Sequence, residues 1–118
     1  MKQPIIYHNP RCSKSRATLA LLTERGYEPQ IIEYLIDPPD TQTLKSLCAR
    51  LGVAAKALVR SKEAKYSELQ LASSDEQTLL QAIAEHPILL ERPIVCMGER
   101  AAIGRPPENV LDILPASN

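Results

Sequence analysis

Pro4-Ile5-Ile6-Tyr7-His8-Asn9-Pro10-Arg11-Cys12-Ser13-Lys14-Ser15-Arg16 is the stretch that decides the fold. Its apolar run, Pro4 to Tyr7, stops at the turn-prone His8-Asn9-Pro10 and so reads as a short buried strand. Ser13 to Arg25 then reads as a helix, with Ala17 and Leu21 on one face and Gly26 as its stop. Ile31-Ile32-Glu33-Tyr34-Leu35 follows as a second strand, closed by Asp37-Pro38-Pro39. Strand, helix and strand in that order make a βαβ unit, whose two strands run parallel.

Beyond this unit the periodicity turns helical. Leu44, Leu47, Cys48 and Leu51 fall at helical spacing, with Asp40 or Thr41 available as a cap and Gly52 as the stop. A short helix is expected over Ala54 to Val59, an irregular stretch over Lys62 to Leu71, and a further helix over Ser73 to Glu85. That last helix carries Leu79, Leu80 and Ile83 inward and offers Ser73 and Glu76 as a capping box; His86-Pro87 ends it. Ile94-Val95-Cys96-Met97 and Ala101-Ala102-Ile103, joined by Gly98-Glu99-Arg100, read as an antiparallel hairpin. Pro106 or Pro107 starts a last helix, with Val110, Leu111 and Leu114 toward the core. The expected fold is α/β: one domain over 1–118, a four-stranded mixed sheet, and a helical insertion at about 40–86 between a βαβ half and a ββα half.

The composition narrows the function. With 118 residues, 44% of them hydrophobic and 24% charged, the chain is ordinary globular protein. Four Tyr and no Trp or Phe leave little for stacking nucleic-acid bases. Basic and acidic residues balance at 14 each, so no net field draws the chain to nucleic acid or an acidic membrane. The amino terminus lacks a secretory signal and no run is long enough to cross a bilayer, so a cytoplasmic location is expected.

Three cysteines, Cys12, Cys48 and Cys96, are spaced unlike a disulfide framework or a zinc site, and no metal is expected. Cys12 stands where a strand gives way to a helix. The first amides of a helix lack internal partners and carry partial positive charge, which stabilises a thiolate and also cradles an oxyanion. Arg11, Lys14 and Arg16 surround it with no acidic residue before Glu24, which is expected to depress its pKa further. A buried, inert cysteine is the competing account, and the polar neighbours argue against it. Cys48, on an apolar helical stripe, and Cys96, within a strand, read as core. A resolving role for either would need Cα atoms within about 7 Å of that of Cys12. Position 15 is Ser15, which excludes a C-x-x-C pair, and position 18 is Thr18, which excludes the C-x5-R loop of cysteine phosphatases.

Arg60, Arg92 and Arg105 stand at segment boundaries. Each taken singly reads as a solvated surface residue. Brought together, their guanidinium forks would grip an oxyanion, but periodicity does not show convergence. His8, four residues before Cys12, either tunes the thiol or makes a local turn hydrogen bond.

Taken together, Tyr7 to Arg16, Leu58-Val59-Arg60, His86-Pro87-Ile88-Leu89, Glu91-Arg92-Pro93-Ile94-Val95, Arg105-Pro106 and Val110 to Leu114 resemble the glutaredoxin-coupled arsenate reductases, across nearly the whole chain. Arg11 departs from the pattern: the best-known plasmid-borne members have a small residue there. The resemblance implies a thioredoxin-like fold, with Pro93 at the position of that fold's cis-proline. It implies Cys12 as nucleophile, His8 as an influence on the thiolate, and Arg60, Arg92 and Arg105 as oxyanion ligands. It further implies arsenate as substrate, glutathione as co-substrate, glutaredoxin as partner, and no tightly bound cofactor. Two other functions fit the same scaffold. One is a general monothiol oxidoreductase that removes glutathione from substrates. The other is a non-enzymatic redox regulator binding RNA polymerase, although such sensors use the C-x-x-C pair that Ser15 breaks.

Overall fold

A computed structural model describes residues 3–115. Its contacts gather into two compact units, one formed by residues up to Glu33 together with those from Arg92 onward, the other by Tyr34–Glu91.

The first unit is built on a four-stranded mixed sheet of order β2-β1-β3-β4, with β1 at Ile5–His8, β2 at Gln30–Glu33, β3 at Ile94–Met97 and β4 at Arg100–Ile103. β1 pairs parallel with β2 and antiparallel with β3, which pairs antiparallel with β4. This is the α/β, thioredoxin-like sheet expected from the βαβ and hairpin patterns. β3 is buried along its whole length, as suits a central apolar strand, whereas β2 is an edge and leaves Ile31 half exposed. α1 (Ser13–Glu24) crosses between β1 and β2. It ends at Gly26, whose φ of +86° is a conformation that costs glycine little.

The inward face of α1 differs from the expectation. Ser15, Thr18 and Leu22 are buried, whereas Ala17 is exposed and Leu21 only partly covered. Two polar residues can sit inside because each is satisfied there. Thr18 Oγ1 donates back to the Lys14 carbonyl at 2.8 Å, and Ser15 serves the loop before the helix. Ile6, Leu22, Val95, Met97, Val110 and Ile113 form the core, with Leu19, Tyr27 and Ala102 packed against it. The last element, Pro107–Ile113, is a 3-10 helix rather than an α-helix. Its three-residue period buries Val110 and Ile113 and leaves Leu111 and Leu114 only partly covered.

The second unit is helical: α2 (Thr41–Leu51), α3 (Ala55–Leu58), α4 (Ala64–Glu68) and α5 (Glu76–Glu85), with 3-10 turns at Leu71–Ser73 and Pro87–Leu89. α5 packs on α2 and α3. Asp40 caps α2 by accepting from the Thr43 amide at 2.8 Å, and Gly52 ends it at φ +71°. α5 begins later than the capping-box pattern suggests. Asp75 is its cap, accepting from the Thr78 amide, and Ser73 lies in the preceding 3-10 turn. Glu76, free of the capping box, instead accepts from the Ala55 amide at 2.8 Å and ties the starts of α5 and α3 together. α4 occupies the stretch expected to be irregular; it buries no residue, so it carries no apolar stripe to read. A bridge between Val59 and Leu90, with amide bonds from Arg60 to Leu89 and from Glu91 to Leu58, joins the segment that follows α3 to the carboxyl end of this unit. No helix among the described residues is long and apolar enough to cross a membrane.

Candidate active site around Cys12

The sheet register assembles the site within the first unit. Tyr7 pairs with Ile94, so the carboxyl end of β1 and the start of β3 lie at the same end of the sheet. The chain leaves β1 there, turns through His8-Asn9-Pro10-Arg11, and enters α1 with Cys12 as the residue before its first turn. Across β3 and β4, Ile94 pairs with Ile103, and the Gly104 amide donates to the Pro93 carbonyl at 2.9 Å. One more step in that register sets Arg105 beside Arg92, and Arg105 Nη1 donates to the Arg92 carbonyl at 3.1 Å. The peptide bonds Arg92–Pro93 and Arg105–Pro106 are both cis. Two of the three arginines singled out in the sequence are thus brought together by the hairpin.

Both reach the sulfur. Arg105 Nη1 lies 3.8 Å from Cys12 Sγ. The Arg92 guanidinium interacts with the thiol directly, and its Nε and Nη1 are buried with no protein acceptor. Cys12 is partly exposed, so the sulfur is open to a reactant. Burial pushes its pKa up, but the Ser15 amide, the Arg92 guanidinium and the Lys14 amide together pull it below the ordinary thiol value. The sequence reading gave part of this effect to the side chains of Arg11, Lys14 and Arg16. In the structure Arg11, Lys14 and Arg16 are exposed, Arg16 Nη1 donating to the Pro10 carbonyl at 2.9 Å, and the pull comes instead from amides and Arg92.

His8, at the end of β1, is buried, with Nδ1 2.6 Å from Ser15 Oγ. Burial lowers its pKa; Glu33, its partner across β2, opposes this and Arg16 adds to it. The ring is therefore neutral at neutral pH. Ser15 Oγ also accepts from the Asn9 amide at 3.0 Å. Ser15 is the residue the sequence reading missed, having used it only to exclude a dithiol. Its hydroxyl holds the loop and His8 while its amide faces the thiolate. The available signal was the placing of Ser15 and Thr18 at helical spacing with the apolar Leu22 on one face.

Arg60 belongs to the other unit. Its Nη1 forms an ion pair with Glu63, and its Nε lies 3.8 Å from Glu91. Cys48 and Cys96 are buried. Among the described residues no group of three or more His, Cys, Asp or Glu is placed to hold a metal ion.

The chain is similar to known proteins in both sequence and structure. The family model described as "ArsC family" matches residues 7–113. The uncharacterized protein YfgD of Escherichia coli (strain K12) is 53% identical over 116 residues, covering 96% of this chain and 98% of that one. The arsenate reductase of Neisseria meningitidis (serogroup A) is 51% identical over 112 residues, covering 92% and 96%. Among solved structures, the arsenate reductase from Vibrio cholerae superposes with a TM-score of 0.93 at 49% identity, covering 96% of this chain and 98% of that chain. With the family model spanning nearly all of the described residues and relatives matching over nearly their full lengths, the chain belongs to the ArsC family.

Proposed function

We propose that this protein reduces arsenate to arsenite, with Cys12 as nucleophile and with glutathione and glutaredoxin as the external thiols. The observation that carries the reading is the pairing of a partly exposed, pKa-depressed Cys12 with an Arg92 guanidinium whose Nε and Nη1 have no protein acceptor. Buried guanidinium donors without acceptors are costly, and an oxyanion seated against the sulfur would satisfy them. Relatives at about half identity that carry the name arsenate reductase support the choice of oxyanion.

In the proposed reaction the Cys12 thiolate attacks arsenic, and one oxygen leaves as water after taking up protons. Arg92 and Arg105 offset the charge on the remaining oxygens. A glutathione thiolate then attacks Cys12 Sγ; the electron pair of the sulfur–arsenic bond passes to arsenic, which leaves as arsenite. Two thiols have become one mixed disulfide, and arsenic has gone from the +5 to the +3 state. A glutaredoxin thiol removes the glutathione by attacking its sulfur, which restores the Cys12 thiolate. This route needs no second cysteine beside Cys12 and takes place in a thiol-rich compartment such as the cytoplasm. His8, neutral and fixed by Ser15, positions the loop that carries Cys12. An oxyanion-binding part for Arg60 stands on the family resemblance alone.

The test is NADPH oxidation coupled through glutathione reductase, glutathione and glutaredoxin to added arsenate. Arsenate-dependent turnover that vanishes in Cys12→Ser is expected; folded protein with no such turnover would overturn the reading. The KM for arsenate in Arg60→Ala tests the third arginine.

A further inference from the structure

The cations around Cys12 divide into two sets. Arg92 lies against the sulfur with buried nitrogens, Arg105 is fixed to the Arg92 carbonyl, and Arg16 is fixed to the Pro10 carbonyl. Arg11 and Lys14 are different. Both are exposed, and neither side chain has a hydrogen bond or an ion pair among the described residues. No acidic residue lies in the first turn of α1, and none precedes Glu24 in the sequence. Neither side chain figures among the groups that depress the thiol. Two unpaired positive charges therefore stand within two residues of the nucleophile in the chain, exposed to solvent, and neutralise nothing within the protein.

We infer that Arg11 and Lys14 form a rim that reads the carboxylates of the incoming thiol, so that the site selects a small thiol bearing carboxylates over a neutral one. This rests on the proposed external-thiol step and deepens it. Arg11 adjoins Cys12 in the chain and Lys14 stands in the first turn of α1, and both side chains are long and exposed, so a ligand held at Cys12 by its sulfur can present remote carboxylates to them. The reacting oxyanion needs donors at the sulfur itself, which Arg92 and Arg105 supply. Exposed cations serve a charge that stays in water, away from the bond being made. In glutathione both carboxylates are remote from the sulfur, which is the complementary pattern. Such a rim raises the local concentration of the anionic thiol and acts on its arrival more than on the chemical step.

The experiment leaves arsenate out, so its result is independent of whether arsenate is the substrate. The Cys12 thiolate attacks one sulfur of a disulfide, forming a mixed disulfide and releasing the other half as thiolate. Rates of this step are compared for oxidised glutathione and for the neutral bis(2-hydroxyethyl) disulfide, using the full-length wild type, Arg11→Ala, Lys14→Ala and the double variant. The double variant should lose about three- to tenfold in rate toward oxidised glutathione, with the difference shrinking at high salt. Its rate toward the neutral disulfide should hold within about twofold, and Arg11→Lys with Lys14→Arg should keep most of the glutathione rate. A parallel fall with both disulfides would mean that the pair acts on the thiolate, and would overturn the inference. An unchanged glutathione rate would overturn it as well.

Discussion

Ser15 Oγ stands 2.6 Å from His8 Nδ1, and the same serine presents its backbone amide to the Cys12 sulfur. Ser15 Oγ also accepts from the Asn9 amide at 3.0 Å. One buried residue thus links the end of β1, the loop and the first turn of α1.

Replacing Ser15 by Ala would leave His8 Nδ1 and the Asn9 amide without their partner. The expected cost is about 1–3 kcal/mol of stability, the penalty for buried polar groups left unpaired. Denaturant unfolding of Ser15→Ala checks it; stability equal to wild type would show that the network contributes nothing.

His8 also makes stability depend on pH. Burial holds its folded-state pKa below the free value, so the folded state favours the neutral ring. Its contribution is complete above about pH 6.5, the unfolded value, and is lost as pH falls through the folded value. Unfolding free energy should decline with acidification in that window, and His8→Gln should remove this part of the slope. An identical slope in both proteins would contradict the assignment.

Gly104 precedes Arg105 at the point where β4 passes α1. A Cβ there would lie 2.5 Å from Thr18 Oγ1 and 2.9 Å from Pro93 Cγ. Gly104→Ala should cost about 1–3 kcal/mol through overpacking and should displace Arg105 from the sulfur. Thermal unfolding checks the first effect and the Cys12 alkylation rate the second. Combining it with Thr18→Ala should recover part of the loss.

The three cysteines should separate cleanly by reactivity. Cys48 and Cys96 are 6% and 2% exposed, and burial, assisted by Glu76, raises the pKa of Cys48. In the folded protein an aromatic disulfide reagent should find one fast thiol, with the remaining two reacting only on unfolding. Two fast thiols would place a second reactive sulfur at the surface.

The sequence made much of this arrangement readable, and where it did not the reasons are physical. β1, β2 and the hairpin stand out because short apolar runs end at Pro, Gly or Asn. The inward face of α1 is hidden because Ser15 and Thr18 are polar and buried by hydrogen bonding. α4 buries nothing, and so leaves no periodicity. Cys12 is legible because its place at a strand-to-helix junction is a local property. The meeting of Arg92 and Arg105 is not local, since it depends on the register of β3 against β4, which only the folded hairpin fixes.

The pH dependence of Cys12 alkylation by iodoacetamide, compared between wild type and Arg92→Ala, tests the central claim most directly. The wild-type midpoint should lie below the ordinary thiol value of about 8.5, and the variant's should move back toward it. A wild-type midpoint at or above that value, unmoved by Arg92→Ala, would contradict the account.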